Sequence, residues 1–159
     1  MQKLNTRFLV KAAIIASIYA VTTVLISPIA FGENQVRVSE ALNVLVYFTP
    51  SAVPGLFIGC IIANLSSPFG IIDIAFGSLA TLLAGLVASK IKNKFLIGLP
   101  SVLFNAVIVG YVLNIMASIP FLAAAISVGI GQFISLYAVG LPLLFVIEKN
   151  LTLKELLID

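Results

Sequence analysis

Uncharged, mostly apolar residues run from Ala12 to Gly32, Ala41 to Ile72, Ile74 to Ser89 and Phe95 to Ile147, and charged side chains fall between these runs. A membrane-spanning helix takes about 20 apolar residues, because the hydrocarbon layer is ~30 Å thick and each residue rises ~1.5 Å. The last run is long enough for two helices. Its break falls at Ala117-Ser118-Ile119-Pro120, where Pro120 can open a new helix but would disrupt an existing one. The second run divides at Thr49-Pro50-Ser51-Ala52-Val53-Pro54, where two prolines four residues apart favour a turn. The pattern predicts helices at about 8–29, 38–49, 52–65, 71–90, 95–117 and 121–147. The tail 148–159 reads as a short amphipathic helix at the membrane interface. The expected fold is an all-α integral membrane protein, a six-transmembrane-helix bundle forming a single transmembrane domain over 1–159.

The order of charges sets the expected topology. Lys and Arg in short loops stay on the cytoplasmic side, and they fall in three clusters: Lys3, Arg7 and Lys11; Lys90, Lys92 and Lys94; Lys149 and Lys154. An even number of crossings must then separate successive clusters. The two short helices at 38–49 and 52–65 supply the parity that a single span over that run would break. Both termini are therefore expected in the cytoplasm, with loops 30–38, 66–70 and 118–120 outside. The basic N-terminus before an apolar run resembles a signal peptide, but the run is too long and lacks a small-x-small cleavage pattern, so it reads as a retained first helix. The second and third helices are too short to cross unaided and are expected to tilt or to line a cavity.

Composition narrows the chemistry. Of 159 residues, 61% are hydrophobic and 9% charged, whereas a soluble domain keeps roughly a quarter of its residues charged. There is no His, no Trp and one cysteine, Cys60. An intrachain disulfide is therefore impossible, and Cys/His metal clusters and hydrolytic triads lack their parts. No metal site is expected. Transport, channel and binding roles rise accordingly.

The remaining candidates are polar residues inside or beside the apolar runs. The segment Gly32-Glu33-Asn34-Gln35-Val36-Arg37-Val38-Ser39-Glu40 concentrates acids, amides and the one basic residue outside the three clusters. It reads either as a lid over a polar ligand or as a local cap in which Ser39 opens the second helix and Arg37 and Glu40 form a surface ion pair. Asp73 is either a functional acid, expensive in a membrane unless it meets water, a partner or a ligand, or an acid favoured by the helix N-terminus beyond Gly70. Asn105 and Gln132 fall mid-span, and they either hydrogen-bond each other between helices or present edges to a planar heterocycle. Asn114, nine residues on, faces away from Asn105. Ala12, Ala16 and Ala20 recur at helical spacing and allow close approach of another helix, within the chain or from a partner.

A small six-helix protein with its ends inside, an Ala-x-x-x-Ala pair on its first helix and a polar first external loop resembles the substrate-binding subunit, or S component, of an energy-coupling factor (ECF) transporter. Asn34-Gln35-Val36-Arg37-Val38-Ser39-Glu40-Ala41-Leu42 and Pro54-Gly55-Leu56-Phe57-Ile58-Gly59-Cys60 with Asn64 resemble its queuosine-precursor branch, the QueT family. Phe76-Gly77-Ser78-Leu79-Ala80-Thr81-Leu82-Leu83 and Phe104-Asn105-Ala106 extend the likeness over nearly the whole chain. The resemblance implies a non-enzymatic subunit in the plasma membrane with no ATPase site or cofactor of its own, in agreement with the missing G-x-x-x-x-G-K-[ST] loop. It implies capture of a 7-deazaguanine such as 7-aminomethyl-7-deazaguanine or its nitrile precursor. It also implies a membrane coupling subunit driven by two ATPases that use ATP, with no nucleic-acid partner. Ala12 and Ala16, with Ala20 in the same stripe, would dock the coupling subunit, and loop 30–38 would gate the ligand.

One departure is Gln132 after Gly131, where members of the branch often carry Glu. An amide cannot charge-pair with an aminomethyl cation as a carboxylate would, which raises the nitrile as the alternative ligand. The chemistry assigns Glu40 to the ring's paired N–H donors and Arg37 to its carbonyl, with Asn34, Gln35 and Asn105 orienting the edges and Asp73 on the ammonium. Exchanging Glu40 and Asp73 fits the sequence equally well. Other readings are an S component for a different vitamin or nucleobase, a stand-alone carrier or channel, and a membrane enzyme. The last lacks clustered acids or a nucleophile beside a base.

Overall fold

The computed structural model describes residues 5–30 and 36–158, and all regular structure among them is helical. Four long apolar helices have the length and composition to cross a membrane: α1 (Thr6–Leu25), α4 (Ile71–Ala88), α5 (Leu99–Ala117) and the continuous helical stretch Phe121–Lys149. That last stretch comprises α6 (Phe121–Phe133), a π-helical segment (Ile134–Gly140) and α7 (Leu141–Lys149). One helical turn, α2 (Ser27–Ala30), follows α1. Two shorter apolar helices lie inside the bundle: a 3-10 helix over Val38–Tyr47 and α3 (Ala52–Asn64). The tail forms α8 (Leu151–Leu157), none of whose residues is buried.

Large aliphatic side chains such as Leu25, Ile71, Leu103 and Leu122 are more than 60% exposed, while the interior combines apolar clusters, around Leu56 and Leu144 and around Leu113 and Val128, with small and polar residues. In lipid there is no hydrophobic drive between helices, so small residues that permit close backbone approach carry the packing. The alanine stripe of α1 does this within the chain. Ala12, Ala16 and Ala20 are buried, and a Cβ built on Gly55 of α3 would lie 2.8 Å from the carbonyl oxygen of Ala12. A Cβ on Gly59 would lie 2.8 Å from that of Ala16. Four-residue steps on both helices keep α1 and α3 in parallel register. The face assigned to a coupling subunit is thus covered by α3, and the exposed side of α1 carries Ile14, Ile18 and Val21 instead.

The three basic clusters meet at one end of the bundle. Lys11 Nζ donates to the carbonyl oxygens of Leu157 (3.1 Å) and Ile158 (3.2 Å), closing the C-terminus of α8. Lys94 Nζ donates to Glu148 Oε1 at 2.5 Å, and this hydrogen bond raises the Lys94 pKa above its ordinary value. The loop after α4 is therefore tied to the end of α7. At the opposite end, Gly70 adopts φ 61° and turns the chain into α4, a conformation that costs glycine little. The expected break before Pro120 is present, with Ser118 in the left-handed region and Asn114 Nδ2 donating to Ile119 O at 2.8 Å.

Two elements depart from the predicted helices. The stretch predicted as a helix over 38–49 is 3-10 rather than α, so its ten residues extend ~20 Å instead of ~15 Å. The last long helix carries a π segment at 134–140. Periodicity could not distinguish these forms, because almost every position in both stretches is apolar.

Substituting Gly59 with Ala should destabilise the protein by about 1–3 kcal/mol through overpacking. Gly129→Ala, whose Cβ would meet Ala106 Cβ at 3.5 Å, an ordinary contact, should change little. Thermal unfolding in detergent of both variants reads the difference, and equal melting temperatures would refute the close-approach account.

Candidate binding site

The polar interior is organised by one ladder. In a 3-10 helix, side chains three residues apart eclipse one another, with ~2.0 Å rise per residue. Arg37 at the N-cap, Glu40 and Asn43 therefore stack on one edge of the 3-10 helix, each buried to within 1%. On α4, which runs in the same direction, the facing row is Asp73, Gly77, Thr81 and Gly85, spaced by four residues. Arg37 Nη2 donates to Asp73 Oδ2 at 3.0 Å, Thr81 Oγ1 to Glu40 Oε1 at 3.1 Å, and Asn43 Oδ1 lies 3.8 Å from a Cβ built on Gly85.

The first rung is an ion pair removed from solvent, with Arg37 and Asp73 exposed by 1% and 0%. Ser67 Oγ also donates to Asp73 Oδ2 at 2.6 Å, and Asn64 Nδ2 donates to the Asp73 carbonyl at 2.9 Å. A side chain at 77 would displace this group. A Cβ there would fall 2.8 Å from Asn64 Nδ2, 2.9 Å from Asp73 Oδ1 and 3.6 Å from Arg37 Nη1. The ion pair of Arg37 is thus made with Asp73 in the interior, not with Glu40 at the surface. Asp73 also stands in the first turn of α4, where the helix dipole favours an acid, so both readings of Asp73 contribute.

On the second rung, Glu40 is fully buried. Its Oε1 accepts from Tyr19 Oη at 2.5 Å and from Thr81, and its Oε2 accepts from Asn43 Nδ2 at 3.1 Å. Ser39 does not cap its helix; its Oγ accepts from Thr23 Oγ1 at 2.6 Å, pinning the 3-10 helix to α1. Tyr19, Asn43, Asn64 and Thr81 are site residues beyond those singled out from the sequence. A signal for Thr81 was available in the four-residue spacing Asp73, Gly77, Thr81, and one for Asn43 in its three-residue spacing from Glu40, which makes neighbours in either helix form.

Asn105 and Gln132 occupy a separate part of the interior. The α5–α6 register places Ala106 against Gly129 and Gly98 against Leu136, and both amides are buried. Asn105 Nδ2 donates to Ser101 O at 3.0 Å, while Asn105 Oδ1 and Gln132 Oε1 have no partner. The interhelical hydrogen bond between them is therefore not formed, and none links either to the Arg37–Glu40–Asn43 ladder. The π segment that follows Gln132 abuts the 3-10 helix, where a Cβ on Gly140 would lie 3.0 Å from Ala41 O. Asn34 and Gln35 lie outside the described residues.

Among the described residues, the buried amide and carboxylate oxygens without a partner are Asn43 Oδ1, Asn64 Oδ1, Asp73 Oδ1, Asn105 Oδ1 and Gln132 Oε1. All five are acceptors. Leaving such atoms dry costs several kcal/mol each in a membrane interior; with the Ser78 and Ser101 hydroxyls also unpartnered, most of the open positions are ones that N–H or O–H donors would satisfy.

A family model described as QueT transporter matches residues 9–149. The chain belongs to the QueT transporter family. With its long apolar helices, this makes it a multi-pass membrane transport protein. A curated QueT-family relative, the queuosine precursor transporter QueT of Lactococcus lactis subsp. cremoris (strain MG1363), is 38% identical over 84 residues. That match covers 52% of this chain and 49% of the relative's length. No solved structure matches the chain. The motif segments Arg37–Leu42, Pro54–Cys60 with Asn64, and Phe76–Leu83 place the QueT-like residues on the three elements that build the ladder.

Replacing Asp73 with Ala should break the buried ion pair with Arg37 and cost about 3–5 kcal/mol, whereas the double change Arg37→Met with Asp73→Leu should recover most of the loss. A double-mutant cycle by thermal unfolding checks this, and additive losses would show that the pair is not coupled.

Proposed function

We propose that this chain is the substrate-binding subunit of an ECF-type importer, a single transmembrane domain that captures a queuosine precursor, 7-aminomethyl-7-deazaguanine or its nitrile precursor. The observation that carries the reading is the surplus of buried acceptors in a QueT-family interior. A 7-deazaguanine ring supplies the missing donors through its ring N–H groups and its amino group. Its lactam edge, a carbonyl beside an N–H, matches Arg37 as donor beside the open Oδ1 of Asp73. Asn105 and Gln132 accept from the remaining N–H groups, and Asn34 and Gln35 are further candidate ligand contacts by their amide chemistry.

In this reading the chain crosses the plasma membrane six times with both termini in the cytoplasm. The meeting of Lys11, Lys94 and the C-terminal tail at one end supports that parity, and the ladder then opens outward. A coupling subunit and two ATPases supply the drive, and the chain binds no ATP itself. Because Ala12, Ala16 and Ala20 face α3, contact with the coupling subunit falls to the neighbouring exposed face of α1. That face borders a cavity of about 880 Å³ lined by Ile14, Ile18, Leu143 and Leu156 at the basic end.

Calorimetric titration of the detergent-purified chain with both deazaguanines, guanine and riboflavin tests the reading. Submicromolar binding of a deazaguanine with no response to riboflavin is expected, and Asn105→Leu should weaken it about tenfold, the worth of one hydrogen bond. Absence of binding by folded protein would sink the assignment. Uptake into liposomes that carry this chain alone, without any ATPase, would favour a stand-alone carrier.

A further inference from the structure

The buried charges of the interior do not balance. Among the described residues they are Arg37, Asp73 and Glu40, and Arg37 is bridged directly to Asp73. That leaves the Glu40 carboxylate with neutral partners only: Tyr19, Thr81 and Asn43. No other basic residue lies between Lys11 and Lys90 in the sequence, so no segment of this length of chain brings a second cation to Glu40. A carboxylate buried in a membrane without a counter-charge is strongly disfavoured.

One hydrogen-bonding position on the Glu40 carboxylate is unused. A carboxylate offers about four lone-pair sites. Oε1 accepts two hydrogen bonds and Oε2 accepts one, so a site on Oε2 stays open. Beside it lies Asn43, whose Nδ2 holds Oε2 at 3.1 Å and whose Oδ1 is buried and unpartnered. An acceptor with full charge and a neutral acceptor thus stand side by side, about 6 Å along the 3-10 helix from the Arg37–Asp73 rung.

We infer that Glu40 and Asn43 form a subsite for a protonated primary amine, so that this protein selects the ammonium-bearing precursor over the neutral nitrile. The inference rests on the 7-deazaguanine reading for the ring alone; the demand for a cation comes from Glu40. It exchanges the roles assigned from the sequence. Asp73, already neutralised by Arg37, reads the ring edge, and Glu40 holds the ammonium. It also removes the difficulty raised by Gln132, since the counter-charge sits on another helix. An ammonium donates to Glu40 Oε2 and Asn43 Oδ1 at once, whereas a nitrile would place an acceptor against two acceptors.

The test compares 7-aminomethyl- and 7-cyano-7-deazaguanine on wild-type chain and on Glu40→Gln by calorimetry, with benzylamine and benzonitrile as probes that lack the deazaguanine ring, read by thermal shift. The substitution can be accommodated because the Asn43 amide can turn to accept from the new amide. Expected for the wild type is tighter binding of the amine than the nitrile by about 10- to 100-fold, as a charged hydrogen bond gives, with that preference abolished in Glu40→Gln. Equal affinities of the two deazaguanines for the wild type would overturn the subsite while leaving the ring assignment intact, whether or not the variant folds. If neither deazaguanine binds, the ring assignment fails by itself. Stabilisation by benzylamine and not benzonitrile would then still support the amine subsite, and no response to either would overturn it.

Discussion

Three residues of a 3-10 helix and four residues of an α-helix both advance ~6 Å, and the polar interior of this protein depends on that equality. Arg37, Glu40 and Asn43 step along one edge in threes, while Asp73, Gly77, Thr81 and Gly85 step along α4 in fours. Glu40 therefore meets Thr81 and Asn43 meets Gly85 in step, while Arg37, beside Gly77, reaches one α-helical turn further to Asp73. Were Val38–Tyr47 an α-helix, each three-residue step would rotate the side chain by ~60° away from α4, and Glu40 and Asn43 would leave the row that Arg37 begins. Long 3-10 runs are uncommon because their hydrogen bonds are poorer. Here the tertiary hydrogen bonds from Tyr19 and Thr81 to Glu40 and from Thr23 to Ser39 compensate.

The same constraint explains where glycine and alanine fall. The 3-10 helix lies between α1, α3, α4 and the π segment, and its neighbours must come close on every side. Gly55 and Gly59 let α3 rest on the backbone of α1. Gly77 leaves room for Asn64, Asp73 and Arg37, and Gly140 lets the π segment approach Ala41. Large aliphatic residues are pushed outward to lipid. The bundle thus exposes large aliphatic side chains on its surface and keeps a buried polar ladder beside its apolar core clusters.

Function enters through what this packing leaves unsatisfied. A transport protein of the QueT family has to release its cargo, so complete internal pairing of every buried group would be self-defeating. Five unpartnered acceptor oxygens and one carboxylate without a counter-charge are affordable only when a ligand or water meets them. The Arg37–Asp73 pair, by contrast, is closed by Ser67 and Asn64 and holds the first loop to α4. Fixed and open polar groups alternate along one ladder: a neutralised pair at the first rung, an uncompensated acid one turn on.

The sequence by itself determined the all-helical membrane character, the helix positions to within a few residues, the gathering of basic clusters and the family, because each rests on local composition or on contiguous motifs. It also singled out Arg37, Glu40, Asp73, Asn105 and Gln132, since polar residues are conspicuous in apolar runs. Only the tertiary structure decided their pairing. Whether Arg37 meets Glu40 or Asp73 depends on which helix lies opposite, and whether Arg37, Glu40 and Asn43 share one edge depends on a 3-10 rather than an α period. Neither leaves a trace in a segment where most positions are apolar. The alanines at 12, 16 and 20 gave the right kind of surface but not its occupant: small residues specify that something comes close, and only the arrangement of α3 decided that it comes from the same chain.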